Sequence, residues 1–142
     1  MLIALWLLSF DRDMMISFGL FWILVTIPVL YLHIEYYIKN RNEYIEITDD
    51  QISVKVVGKD TRNYRFADLD KIILYKSASQ DKGGMPILPL EFYHFARIIP
   101  KHGKDIVITC LMTPDVEGAI REIKWVAYDR RKIFFATLER KL

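Results

Sequence analysis

Cysteine is almost absent: Cys110 stands alone, so no disulfide framework and no thiolate metal cluster can form within one chain. Surplus charge is lacking too. Lys and Arg number 20 against 18 Asp and Glu, a net +2, which is far too little to make nucleic acid the partner. The three histidines, His33, His94 and His102, share no helical metal spacing, and no H-E-x-x-H, G-x-S-x-G, Walker or G-x-G-x-x-G pattern occurs. Gly83-Gly84 is a flexible loop and no phosphate cradle. The expectation is therefore a protein without metal, cofactor or catalytic residues. Repeats and low-complexity tracts are missing as well, and 142 residues leave room for one domain plus an anchor.

The most telling absence is local. Residues 14–34, MMISFGLFWILVTIPVLYLHI, hold no Asp, Glu, Lys or Arg. About 20 apolar residues in a helix match the hydrocarbon thickness of a bilayer, and a chain this short cannot wrap such a helix on all sides. A transmembrane helix over residues 14–38 follows, with Tyr31, Tyr36 and Tyr37 at headgroup level and Pro28 tolerated inside. Residues 1–10, MLIALWLLSF, reach only about 15 Å as a helix, half a bilayer. They carry neither the basic n-region nor the small-x-small site of a cleaved signal peptide. Residues 1–13 are expected to form a short apolar element against the membrane, folded back at Asp11-Arg12-Asp13. Lys39 and Arg41 on one side outnumber Arg12 on the other, so the positive-inside bias puts the C-terminal part in the cytoplasm of a single-pass inner- or plasma-membrane protein. Ser17, Gly19 and Thr26 leave space for a helix partner within the span.

Residues 39–142 read as the water-side domain. They hold 19 of the 20 Lys and Arg and 15 of the 18 Asp and Glu, a local charge of +4. The period changes from helical to two at Glu43. Residues 44–48 alternate, Asp49-Asp50 turns the chain, and residues 51–56 alternate again, a hairpin by pattern and turn chemistry. Further strands are expected at 62–66, 71–76, 91–99 and 105–110, with an irregular stretch at 77–90. Thr113 then reads as a helix N-cap, Pro114 as the first helical residue, and Val116, Ile120 and Ile123 as the stripe of a helix running to Lys124. Residues 126–135 look extended, and the chain ends in a basic tail. The strands and this helix are expected to close one core, so that a chain starting near Lys39 folds alone.

Six antiparallel strands followed by one amphipathic helix resemble a pleckstrin-homology-like roll, an α+β fold. The phrases from Glu43 to Lys55, then Tyr64-Arg65-Phe66-Ala67-Asp68-Leu69-Asp70-Lys71-Ile72, resemble the membrane-anchored bacterial members of that group. There a strand pair leads into an aromatic and an x-Asp-Ile/Leu-x-x-Ile/Val phrase before the next strand. Residues 106–111 before a Pro-Asp helix start are similar too, and the resemblance covers residues 43 to about 124. It implies a binding module with no chemistry of its own.

The candidate site is basic. Lys55, Lys59, Arg62 and Arg65 lie along one hairpin, with Lys101, His102 and Lys104 in a later turn. Beside an anionic bilayer each Lys or Arg is worth about 1 kcal/mol, although alternation lets only a subset face one way. The bland reading is a solvated hairpin face. Arg130-Arg131-Lys132 before Ile133-Phe134-Phe135 is a second cluster. Asp49, Asp50, Asp68 and Asp70 suit turns better than acid–base work. Cys110 reads as a core residue and His94 as a satisfied, half-buried histidine. Two functions fit: a module that recruits a protein partner or senses the membrane surface, and a small accessory subunit of a larger transport or secretion complex. The partners implied are the lipid bilayer and a second membrane protein.

Overall fold

The computed structural model describes residues 12–139, so most of the short apolar element expected at residues 1–13 lies outside the described residues. Helix α1 spans Arg12–Arg41 without a break at Pro28. Its 30 residues measure about 45 Å at 1.5 Å each, and the helix is long and apolar enough to cross a membrane. It runs past Ile38, where the span was expected to end, through Asn40 and Arg41, and β1 follows after a single residue. Along the N-terminal half every side chain from Met14 to Leu24 is exposed; Val25, Leu32 and Tyr36 are buried.

Strands β1 (Glu43–Ile47), β2 (Gln51–Val56) and β3 (Arg62–Arg65) form an antiparallel sheet in that order. Asp49-Asp50 closes the first hairpin, with the Thr48 N–H donating to the Gln51 carbonyl at 3.0 Å. A 3-10 turn at Phe66–Asp68 buries Phe66 and feeds β4 (Leu69–Lys76). The second sheet has the order β6-β5-β4-β7, from β5 (Phe95–Pro100), β6 (Ile106–Thr109) and β7 (Ala127–Lys132). Strand β7 falls within the stretch read as extended, and it pairs with β4 in parallel. The long apolar helix followed by antiparallel and mixed sheets is a PH-like α+β roll.

Three local expectations differ from the structure. The strand expected from Glu91 starts at Phe95, because Pro89–Phe92 forms a 3-10 turn whose Glu91 carboxylate accepts from the Ile87 and Leu88 N–H groups at 2.7 and 3.1 Å. The irregular stretch contains a one-turn helix, α2 (Ala78–Asp81), capped by Ser77. The helix expected from Pro114 to Lys124 is shorter, α3 (Val116–Arg121). Its cap is Asp115, whose carboxylate accepts the Gly118 N–H at 2.8 Å and outcompetes Thr113 by being charged.

Both faces of the second sheet are covered. On one face Ile72, Leu74, Ala96, Ile98, Ile106 and Ile108 pack against Ile52 and Val54 of the first sheet and against Val116 and Ile120 of α3. On the other, Ile73, Tyr75, Phe95 and Val107 pack against Leu32 and Tyr36 of α1 and against Ile133 and Ala136 of the segment after β7. This is why β6 shows no polar alternation from Ile106 to Ile108: all four of its residues, Thr109 included, are buried. The core expected without the helix is thus one of two buried clusters. Burying side chains the size of Leu32 and Tyr36 contributes about 2 kcal/mol each.

Candidate functional site

The C-terminal half of α1 is fixed to the sheet. Leu32 and Tyr36 are buried, Val29 and Asn40 half-buried, and the spacings of three, four and four make one helical stripe. The Tyr36 hydroxyl donates to the Ala136 carbonyl at 2.8 Å. The Asn40 amide donates to Thr109 Oγ1 at 2.7 Å, and Glu35 accepts from Thr137 Oγ1 and the Leu138 N–H at 3.1 and 2.9 Å. Tyr31 stacks on Phe135, and Lys39 pairs with Glu43 at 2.8 Å. The segment at residues 133–138 therefore straps the helix to the sheet, and Arg97 holds its Leu138 carbonyl at 2.7 Å.

Beyond the end of α1 the two sheets part along β1, and a groove of about 470 Å³ opens. Ile45 and Ile47 of β1, Ile108 of β6, Met112, and Ala119 of α3 line it, and Asn40, Glu43 and Glu122 are at its polar margin. Among the described residues, strand β1 has β2 as its only sheet neighbour. The ladder is anchored at both ends, by Thr48 on Gln51 and by the Val57 N–H on the Asn42 carbonyl at 2.9 Å. Bonded pairs alternate in an antiparallel ladder, so with this register Glu43, Ile45 and Ile47 turn their N–H and C=O groups away from β2. Glu122 is exposed and has no ion-pair partner among the described residues. Sequence reading missed this groove, because nothing in an alternating strand says which of its edges stays open.

The basic candidates divide. Lys59, Arg62 and Lys104 line one cleft of about 310 Å³ with Tyr64 and Gly103, and the carboxylates of Glu43 and Asp60 line it with them. Lys55 is on the exposed face of β2, paired with Glu46 at 3.1 Å. Lys101 donates to the Ala67 carbonyl at 2.7 Å. Arg65, at the far end of β3 opposite Gln51, is exposed, as is His102. In the second cluster Arg130 bonds Glu117 and Arg131 bonds Asp129, while Lys132 pairs with Asp81 at 3.1 Å. Asp49, Asp50, Asp68 and Asp70 are exposed.

His94 Nδ1 lies 2.9 Å from the Phe92 carbonyl, so that nitrogen carries the proton, and burial holds the ring below its ordinary pKa. Cys110 is half-buried where the two cores meet. Burial pushes its thiol up, which keeps it protonated and a poor nucleophile at neutral pH. No group of three metal-ligating side chains comes together among the described residues. Trp125, which sequence reading passed over, is the one non-glycine with positive φ (68°) among the described residues, and its side chain is fully exposed.

A family model described as PH domain matches residues 1–118. The match takes in α1 as well as both sheets up to α3. No curated protein and no solved structure matches the chain.

Proposed function

The chain belongs to the PH-domain family, and from that premise we propose that it is a membrane-anchored binding module whose groove beside β1 takes an extended segment of a protein partner. Helix α1 crosses the bilayer once, and Lys39 and Arg41 keep the sheets on the cytoplasmic side. The observation that carries the reading is the open edge of β1. Outward N–H and C=O groups at Glu43, Ile45 and Ile47 are what an added strand needs, and the apolar groove alongside would receive its alternate side chains. Glu122 at the margin favours a segment with a basic residue.

The test uses the full chain in mild detergent, with a photo-crosslinker at Met112 in cells. A partner captured there should slow amide exchange at Glu43, Ile45 and Ile47. Glu122→Lys should weaken the complex about tenfold, the effect of one charged contact of about 1.4 kcal/mol. A partner that leaves the β1 amides exchanging freely would refute the groove. A stoichiometric complex held through the exposed face of α1 and indifferent to Glu122→Lys would favour the accessory-subunit reading.

A further inference from the structure

Residues 83–90, GGMPILPL, carry no charge, and the loop they form leaves Met85 and Ile87 almost fully exposed, at 88% and 87%. Apolar tips in water are ordinarily folded away, but this loop is held open. The Glu91 carboxylate accepts both the Ile87 and Leu88 N–H groups, the Gly84 N–H donates to the Ser79 carbonyl at 2.9 Å, and Pro86 and Pro89 stiffen the rest. The Glu91 carboxyl is held below the usual carboxylate range by those two backbone bonds.

The loop is also placed. Leu88 and Leu90 pack in the core that holds Leu32, Tyr36 and Val29, and the Tyr93 hydroxyl meets His33 Nδ1 at 3.0 Å. Phe92, next to Tyr93, is 56% exposed. The strap meets the same turn of the helix, through the Tyr31–Phe135 stack, and leaves Phe134 68% exposed. Two separate segments with exposed apolar side chains are thus tied to the helix at the level of residues 29–33, where Leu30 and Ile34 of α1 are exposed too. That is the level at which the helix leaves the sheet and its bare apolar surface begins.

We propose that the loop carrying Met85 and Ile87 dips into the bilayer interface beside α1, giving the sheets a second attachment to the lipid surface. The proposal rests on the reading of α1 as a span, and it adds that the domain lies against the membrane and does not stand off it. Continuity with the apolar face of the helix selects lipid as the occupant, since any partner on this loop has to share its level with the headgroups.

The test places nitroxide labels on the full chain in phosphatidylcholine–phosphatidylglycerol nanodiscs, in a Cys110→Ala background, at Ile87→Cys, Met85→Cys, Ile23→Cys and Asp49→Cys in turn. Oxygen and nickel-chelate accessibility are then read at each site. The oxygen-to-nickel ratio at Ile87 and Met85 should lie well above that at Asp49 and below that at Ile23. Water-like ratios at both loop sites with a lipid-like ratio at Ile23 overturn the inference and leave the span standing. A water-like ratio at Ile23 overturns the span and the inference with it. Loop labels shielded from both reagents mean a protein covers the loop, which also overturns the inference.

Discussion

Glu117 joins three elements. Its carboxylate accepts from Lys76 of β4 at 2.6 Å and from Arg121 of its own helix at 2.7 Å, and it bonds Arg130 of β7. Hydrogen bonding from Lys76, with the two arginines behind it, lowers its carboxyl to about 2. Arg121 and Arg130 are largely exposed and screened, so most of the stabilisation comes from Lys76. A folded pKa below the unfolded one, about 4.3, adds stability that is present above that value and lost as pH falls through about 2. Urea unfolding in detergent should therefore find Glu117→Gln about 2 kcal/mol less stable than the parent at pH 7, on the scale of a charge-assisted bond, with the gap closing by pH 2. A constant gap would place the contribution in packing. In the sequence Glu117 shows only as an acidic residue suited to a helix start. Its partners Lys76 and Arg130 lie 41 and 13 positions away and carry no sign of the pairing. Cys110 and His94 were readable because their apolar neighbours in sequence are also their neighbours in space.

At the scale of elements, legibility followed alternation. The hairpin of β1 and β2 was plain because one face is buried and the other wet, and Asp49-Asp50 marks its turn. The docking of α1 was hidden for the opposite reason. In a helix apolar all round, the stripe through Leu32 and Tyr36 looks like the exposed apolar residues beside it, and only Glu35 and Asn40 hint at a polar partner. Strand β7 was legible as extended but not as parallel, since its six residues are all exposed and show no period. The docking makes a graded prediction. Leu32→Ala should cost about 3 kcal/mol, the range for a buried leucine, and Tyr36→Phe about 1 kcal/mol for the lost bond to Ala136. Ile34→Ala, on the exposed face of the same turn, should cost close to nothing. Denaturation of the three variants in one detergent checks the order, and equal effects at residues 32 and 34 would mean that the helix does not dock.

For the molecule as a whole, the helix and the sheets share a buried cluster, and the prediction is that they fold together. A chain cut at Lys39 loses Leu32 and Tyr36 and uncovers Ile73, Tyr75, Phe95 and Val107, which are at most 7% exposed in the intact protein. The expected result is a fragment that binds hydrophobic dyes and elutes as aggregates, whereas one beginning at Met14 stays monodisperse in detergent. A monomeric, cooperatively melting fragment from Lys39 would show that the first core suffices. The sequence suggested independence because one alternating face per strand is all that a single core needs. The second face became visible only when the apolar runs of β4 and β6 were seen covered from both sides.

Because α1 continues without a hinge from bare apolar surface to the margin of the groove, it acts as a ruler. From Val29, where the helix meets the sheet, to Arg41 are 12 residues, about 18 Å along the axis. Asn40 and Glu43 at that end border the groove. On the proposed reading, a second protein held in the same bilayer would lift its segment through that height, which takes about five or six extended residues at roughly 3.3 Å each. A shorter tether cannot reach, and a much longer one gives up effective concentration. On the proposed reading, the fixed length of one helix would sort partners by their juxtamembrane reach before any side chain is compared.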